Sequence, residues 1–232
     1  MAQPLKILEE NIGYVFKDKN LLKEALTHRS YLNENPKWGL PNNERLEFLG
    51  DAVLELSVTE ELFKRFPDYQ EGQMTGLRAA LVNYVMLSSV AKDFGLENFI
   101  LMSRGEAKDT GRARDVILAN AIEALIGALY LDSAYKTVGK FVNKFVMERL
   151  DEVIKKGLFK DPKSALQEKI QEKTKAAPTY QVLSETGPDH AKIFEVGVYV
   201  GNKLLAKGSG PSKQEAEAEA ARAALSSLSE NR

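Results

Sequence analysis

The chain has 232 residues, two histidines and no cysteine, and its formal net charge is −1 at pH 7. Without cysteine it can form no disulfide, no thiolate nucleophile and no cysteine-based zinc site. A net charge so close to zero argues against binding nucleic acid through bulk charge, so any polyanion would have to be held by local basic patches.

No basic-then-apolar leader opens the sequence, and no apolar run approaches the length of a membrane span. We therefore expect a cytoplasmic protein with no membrane partner. The two histidines lie far apart in the sequence, so we expect no histidine-based metal site.

The first half of the chain predicts helices joined by short loops. An amphipathic segment at 21–26 comes first, and the loop at 33–42 carries two prolines and a glycine that break the pattern. Apolar residues at helical spacing then predict helices at 74–92, 115–131 and 135–155. No strand pattern occurs in this half.

The segment 43–51 places three carboxylates on one face of a predicted helix. Glu44, Glu47 and Asp51 follow each other at intervals of three and four residues. An apolar stripe predicted to face the core runs beside them and comprises Leu46, Leu49, Val53 and Leu56. Such carboxylates repel one another, so they form either a solvated acidic edge or a cation site. Because they border the apolar stripe, we favour the cation site.

A second acidic pair lies in an almost entirely apolar segment at 117–130. Asn120 and Glu123 are three residues apart on a helix predicted to be buried nearly all round. A buried glutamate must be neutral, paired or bound to metal, so Glu123 would meet either an arginine, such as Arg45 or Arg78, or a cation. Two helices that offer oxygen ligands to one space favour Mg²⁺.

The pattern changes after a predicted linker at 156–161. A short helix is expected at 165–173, and three strand-like runs follow at 179–184, 192–200 and 203–208. Gly201 and Asn202 separate the last two runs as a two-residue hairpin turn. Ser212, with Glu215 three residues later, is typical of the start of a final helix that reaches about residue 228.

These motifs resemble the ribonuclease III family. The string Glu-Arg-Leu-Glu-Phe-Leu-Gly-Asp at 44–51 is similar to the signature of that family, and 123–128 resembles its other acidic helix. The segment 26–31 resembles the stretch upstream of the signature, and Glu71 lies where the family carries another acidic residue. The α-β-β-β-α order of the remainder resembles a double-stranded RNA-binding domain.

The resemblance covers essentially the whole chain and implies its architecture. An all-α endonuclease domain would span 1–155, followed by the linker at 156–161. A small α+β domain with the order α-β-β-β-α would bind double-stranded RNA and span 162–229.

The resemblance also implies the site residues. The metal ligands would be Glu47, Asp51, Asn120 and Glu123, with Mg²⁺ as the cofactor and Mn²⁺ as a substitute. Asp51 and Glu123 would be catalytic, assisted by Glu44 and Glu71 as accessory acids near the dimer interface and the RNA backbone. One departure is that Asn120 stands where the family usually carries Asp, and its neutral amide is a weaker ligand.

In the second domain, the resemblance assigns RNA contacts to both helices and to the loop after the first strand. The implied residues are Gln167, Glu168, His190, Ser212 and Lys213. The N-terminus of the last helix would offer amide donors and the Lys213 ammonium to phosphates. Another departure is that Gln214 follows Lys213, where the family usually has further basic residues. Residues 160–232 contain eleven basic and ten acidic side chains, so this domain is only mildly basic.

The implied function is hydrolysis of double-stranded RNA by a homodimeric endoribonuclease in rRNA and mRNA processing, with no small-molecule substrate. The products would carry 5′-phosphates and short 3′ overhangs. The alternative is a double-stranded RNA-binding protein of the same fold with weak or no cleavage because of Asn120. A protein that binds a structural cation is disfavoured because it would not need the second domain.

The polar segment 103–114 is either a solvated loop or an RNA-backbone contact.

Overall fold

The computed structural model describes residues 4–159, 161–172, 176–188 and 192–230. Two compact units divide the chain, residues 1–159 and residues 160–232. The predicted architecture, a helical unit followed by a small α+β unit, is confirmed.

Helices account for the described secondary structure of the first unit, apart from one parallel bridge between Thr27 and Leu101. They are α1 (Leu5–Ile12), α2 (Lys19–Ala25), α3 (Arg29–Glu34), α4 (Glu44–Arg65), α5 (Glu71–Val82), α6 (Tyr84–Asp93), α7 (Arg112–Asp132), α8 (Tyr135–Phe145) and α9 (Leu150–Lys155). Short 3₁₀ turns lie at 96–98, 106–108 and 147–149.

Several helix predictions needed adjustment. The sequence pattern did not predict α1 or α3, and the predicted helix at 135–155 is divided into α8, a 3₁₀ turn and α9. The segment 74–92 is two helices that meet at Asn83. The Asn83 side chain accepts a hydrogen bond from the backbone N–H of Met86 at 3.0 Å, so it caps α6 and ends the continuous helix.

The prediction that Leu56 lies in the core is wrong. Leu46 and Val53 are buried, as expected, but the Leu56 side chain is 58% exposed. The core face of α4 instead includes Leu54 and Val58, which are fully buried. The helix α4 has an apolar stripe in the core and a second apolar stripe on its exposed face. Both follow the same helical spacing, so the sequence pattern did not distinguish them.

The helix α7 lies in the centre of the first unit. Between 117 and 129 every residue is buried except Asn120 and Glu123, which are partly exposed, so the prediction of a helix buried nearly all round is confirmed. Among the described elements, α7 packs most extensively against α4.

Two glycines allow α4 and α7 to approach until their backbones touch. A Cβ atom placed on Gly50 would lie 1.8 Å from the carbonyl oxygen of Glu123, and one on Gly127 would lie 2.2 Å from the carbonyl oxygen of Leu46. No side chain fits at either position, because real Cβ contacts are never so short. The contact fixes the Glu47–Asp51 turn of α4 against the middle of α7.

The second unit contains α10 (Pro162–Gln171), the strands β1 (Pro178–Thr186), β2 (Ile193–Val200) and β3 (Lys203–Gly210), and α11 (Lys213–Glu230). The strands form an antiparallel sheet in the order β1-β2-β3. Gly201 has a φ of +57° in the predicted hairpin turn.

The core of the second unit lies between its helices and one face of the sheet. Leu166 of α10, Val198 of β2 and Ala220 of α11 are buried together. A Cβ atom on Gly208 would lie 2.1 Å from the backbone nitrogen of Ala220, so α11 lies directly on the backbone of β3. This contact fixes α11 against β3.

The Gly50 contact can be tested with a pair of alanine substitutions. We expect Gly50→Ala to lower the free energy of unfolding by about 3 kcal/mol, because the new methyl group displaces the α7 backbone. Gly139→Ala is the control, since Gly139 lies within α8 and its Cβ would meet nothing within 4 Å. That substitution should stabilise the chain by about 0.5–1 kcal/mol. Urea unfolding measures both, and equal effects would contradict the described contact.

Candidate active site and nucleic-acid interface

The four predicted metal ligands lie on the facing sides of α4 and α7. Glu47 and Asp51 leave α4 on either side of Gly50, whose Cβ position touches the backbone of Glu123. The Asn120 side chain lowers the pKa of Glu47, and the charges of Glu47 and Asp51 both act on Glu123. The structure therefore brings all four side chains into one electrostatic cluster.

Mutual repulsion shows in the pKa values of two of these carboxyl groups. Burial, and then the charges of Asp51, Glu47 and Glu55, raise the pKa of Glu123 to about 8. Burial, and then the charges of Glu44 and Asp51, also raise the pKa of Glu47, while the Asn120 amide partly offsets the rise. Each carboxylate thus disfavours ionisation of its neighbours.

The arginine partners considered for Glu123 are engaged elsewhere. Arg78 donates a hydrogen bond to Oγ1 of Thr59 at 3.0 Å, and Arg45 acts on the carboxylate of Glu24. Within the described ranges, none of the carboxylates of the cluster at positions 47, 51 and 123 forms a salt bridge. Of the two readings left open for Glu123, the structure therefore does not support the salt bridge.

The donor set has the chemistry of a hard-cation site. Its ligand atoms are carboxylate and amide oxygens, which suit Mg²⁺ and Mn²⁺, and a cation would relieve the repulsion among the acids. In the part of the chain that the structure describes, no three Asp, Glu or His side chains converge closely enough to hold an ion as placed. Because Asp51 is exposed, and Glu47 and Glu123 are partly exposed, their side chains have room to rotate towards a common point.

An adjoining cavity of about 590 Å³ connects this cluster to basic side chains. Glu44, Glu47 and Asn120 line it on the acidic side. Arg29, which lies 3.6 Å from Glu44, and Arg112, whose guanidinium lies 5.5 Å above the ring of Tyr84, line it on the basic side. A cavity with both kinds of wall can receive a phosphate beside a carboxylate-bound cation.

Sequence reasoning missed the basic side of this cavity. Arg29 and Arg112 begin helices that are far apart in the sequence, so no spacing connects them. His28 also lines the cavity, and its Nδ1 atom is 2.7 Å from Oγ of Ser30. Burial lowers the pKa of His28. Two segments carried a signal: 26–31, which contains Arg29 and resembles the stretch upstream of the signature, and 103–114, which contains Arg112 and was left open as a solvated loop or an RNA-backbone contact.

The predicted accessory acids lie in different places. Glu44 lines the cavity and acts on the pKa of Glu47, so it adjoins the cluster. Glu71 is the first residue of α5 and accepts a hydrogen bond from Oγ1 of Thr75 at 3.0 Å. Among the described contacts, none connects Glu71 with the cavity.

The predicted RNA contacts that the structure describes lie on the two helices of the second unit. Gln167 and Glu168 are exposed on α10. Oγ of Ser212 accepts a hydrogen bond from the backbone N–H of Glu215 at 3.2 Å, which is half of the predicted capping box. Lys213 is 59% exposed in the first turn of α11. His190 lies outside the described residues.

Comparison with known proteins identifies both units. A family model described as Ribonuclease-III-like matches residues 18–150, and one described as Double-stranded RNA binding motif matches residues 162–228. The chain is 44% identical over 219 residues to Ribonuclease 3 of Borreliella afzelii (strain PKo), covering 94% of this chain and 89% of that protein. It is also 44% identical over 227 residues to Ribonuclease 3 of Streptococcus equi subsp. zooepidemicus (strain H70), covering 97% of each.

A solved structure of a ribonuclease III nuclease domain is also similar to the first unit. It contains the nuclease domain of ribonuclease III from Campylobacter jejuni and concerns flexibility in a region involved in dimer formation. Its TM-score is 0.57 at 43% sequence identity, and the match covers 62% of this chain and 97% of that chain. No helix in the described part of this chain is long and apolar enough to span a membrane.

The raised pKa of Glu123 predicts how stability depends on pH without divalent cations. The native pKa of about 8 exceeds the ordinary value of 4.5, so the native state binds the proton more tightly than the unfolded state. The resulting stabilisation is complete below about pH 4.5 and is lost as the pH rises through about 8. We expect the wild type to lose stability relative to Glu123→Gln over this range. Urea unfolding in EDTA at several pH values measures the difference, and parallel curves would contradict the assigned pKa.

Proposed function

The chain belongs to the ribonuclease III family, and from this premise we propose that it hydrolyses double-stranded RNA at a divalent-cation site between α4 and α7. The proposed ligands are Glu47, Asp51, Asn120 and Glu123, and the proposed cation is Mg²⁺, with Mn²⁺ as a substitute. As a member of this family the chain is an endoribonuclease, and its second unit is a double-stranded RNA-binding domain.

One structural observation supports the proposed cation site. Two helices in backbone contact hold three carboxylates and an amide in one cluster, where burial and then the charges of the neighbouring carboxylates raise the pKa of Glu123 to about 8. Repulsion among partly buried carboxylates destabilises the fold unless a cation balances their negative charge. Such a cluster therefore favours a cation site. A polyanionic substrate also requires that balance, since bare carboxylates would repel its phosphates.

The chemistry of cleavage would depend on the bound cation and on the side chains around it. A bound divalent cation would activate a water molecule and stabilise charge on the scissile phosphate. The Asn120 amide offsets part of the rise in the pKa of Glu47 that burial and the neighbouring charges cause. Arg29 holds Glu44 at 3.6 Å and, with Arg112, offers guanidinium groups to the neighbouring phosphates.

A homodimer accounts for the second apolar stripe of α4. Phe48, Leu56 and Phe63 are 83%, 58% and 69% exposed on one face of this helix, opposite its core face. Exposed apolar residues in such a row are typical of an interface. A second copy of the chain is the proposed occupant, because Phe48 directly follows the ligand Glu47. A two-fold axis along the stripe would place the two cation sites near each other.

Paired sites explain the proposed products. Two sites related by a two-fold axis would face the two strands of one duplex, so each would cut one strand. The expected products carry 5′-phosphates and short 3′ overhangs. In the second unit, the N-terminus of α11 and Lys213 would contact phosphates, and the exposed Gln167 and Glu168 would face the minor groove.

A second candidate function follows from Asn120. An amide in place of the usual carboxylate removes one negative charge from the cation site, which weakens its attraction for Mg²⁺. The chain would then be a double-stranded RNA-binding protein of the same fold that cleaves weakly or not at all.

Cleavage assays with Glu123→Gln test the proposed function. Wild-type protein should cut long double-stranded RNA in Mg²⁺ but not in EDTA. Loss of a direct ligand should lower the cleavage rate by at least about a hundredfold, because even groups behind the ligands contribute tenfold to a hundredfold. RNA affinity in EDTA should stay unchanged, since the second unit is intact.

Glu152→Gln is the control for this experiment, because Glu152 is paired with Lys156 on α9 and lies outside the cluster. It should cleave like the wild type. Wild-type protein that binds RNA but leaves it intact in both Mg²⁺ and Mn²⁺ would support the second candidate. Full activity of Glu123→Gln would overturn the ligand assignment.

The proposed dimer predicts the effect of a charge on the α4 stripe. Leu56→Asp should give a monomer, because an interface that buries an unpaired carboxylate is strongly destabilised. Val15→Asp is the control, since Val15 is 70% exposed but lies outside the stripe. Sedimentation equilibrium should show twice the chain mass for the wild type and the control. A wild-type monomer, or a dimeric Leu56→Asp variant, would refute the proposed interface.

A further inference from the structure

One carboxylate in the second unit connects two of its lysines. Oε1 of Glu185, at the end of β1, lies 3.4 Å from Nζ of Lys213, and Oε2 lies 3.6 Å from Nζ of Lys192. Lys213 also lies over the ring of Phe194, with its Nζ 5.5 Å from the ring centroid. The lysine proposed to contact phosphate is therefore already paired with an anion of its own domain.

The exposure of these side chains indicates whether the ion pairs affect folding or RNA binding. The side chains of Lys213, Glu185 and Lys192 are 59%, 40% and 36% exposed. An ion pair this accessible contributes little to folding, because water and salt screen it. A phosphate of bound RNA can reach the same ammonium groups, so the main consequence of the pairing concerns RNA binding.

We propose that Glu185 competes with RNA phosphates for Lys213 and Lys192, and thereby sets the affinity and salt dependence of the second unit. The inference rests on the proposed function, in which Lys213 contacts the RNA backbone. When the lysines exchange the Glu185 carboxylate for a phosphate, that carboxylate loses its partners and faces a polyanion. RNA binding must then overcome both the lost ion pairs and the new repulsion.

Competition by Glu185 also changes the number of cations exchanged on binding. A lysine that neutralises a phosphate releases a cation from the RNA, which makes the affinity fall as salt increases. The Glu185 carboxylate set free in the complex attracts a cation from solution and offsets part of that release. Removing the carboxylate should therefore increase affinity and steepen the salt dependence together. A side chain with a purely structural role would not change the salt dependence in this way.

Binding of double-stranded RNA to the full-length Glu185→Gln variant in EDTA tests this inference. We expect the dissociation constant at low salt to fall roughly twofold to fivefold, the range that an exposed ion pair supports. A plot of log affinity against log salt should steepen by up to about one unit. Glu195→Gln is the matched control, because Glu195 lies on the same sheet, 3.5 Å from Lys207, and loses the same charge. The control should change neither quantity comparably.

A double-mutant cycle with Lys213→Ala separates this inference from the proposed function. Lys213→Ala should weaken binding, and Glu185→Gln should then restore much less affinity in that background than it adds to the wild type. If Lys213→Ala leaves binding unchanged, the proposed phosphate contact fails, and the inference fails with it. If Lys213→Ala weakens binding but Glu185→Gln has no effect or matches Glu195→Gln, only the competition by Glu185 is refuted. Weaker binding by Glu185→Gln would show that Glu185 positions Lys213 instead.

Discussion

The backbone contact between α4 and α7 determines where the acidic groups of this protein lie. Gly50 and Gly127 leave no room for a Cβ atom, so each helix packs its main chain against the other. Because Gly50 lies between Glu47 and Asp51, any shift of the contact would move both carboxylates relative to Glu123. Larger residues would separate the helices, and would thereby reduce both the burial of Glu123 and its coupling to the neighbouring carboxylates, which together raise its pKa.

That close approach has an electrostatic cost, and Asn120 reduces it. A fourth carboxylate on these facing helices would add repulsion to a cluster that already shifts two pKa values. The amide instead lowers the pKa of Glu47 and adds no charge. At the proposed cation site the same neutrality would weaken the attraction for a cation, so Asn120 would exchange ion affinity for stability of the ion-free fold. The choice between the two candidate functions, RNA cleavage and RNA binding with weak or no cleavage, therefore depends on Asn120.

The sequence predicted the helices and strands well because their apolar periodicities and capping residues are local signals. It also indicated that Glu47, Asp51 and Glu123 belong together, since each borders an apolar stripe. Leu56 was assigned to the core in error, because an interface stripe and a core stripe have the same helical spacing. That Arg29 and Arg112 line one cavity was not predicted, because their proximity depends on how distant helices pack, which no local pattern encodes.

The electrostatics of the second unit are consistent with the proposed dimer. Residues 160–232 carry nearly equal numbers of basic and acidic side chains, and Glu185 occupies two of the lysines. One such unit would bind a duplex weakly. In the proposed dimer, two units act on the same RNA, so the second contact forms at a high effective concentration and the combined affinity exceeds that of either unit. Weak individual contacts then favour release once cleavage has divided the duplex, because each product keeps fewer of them.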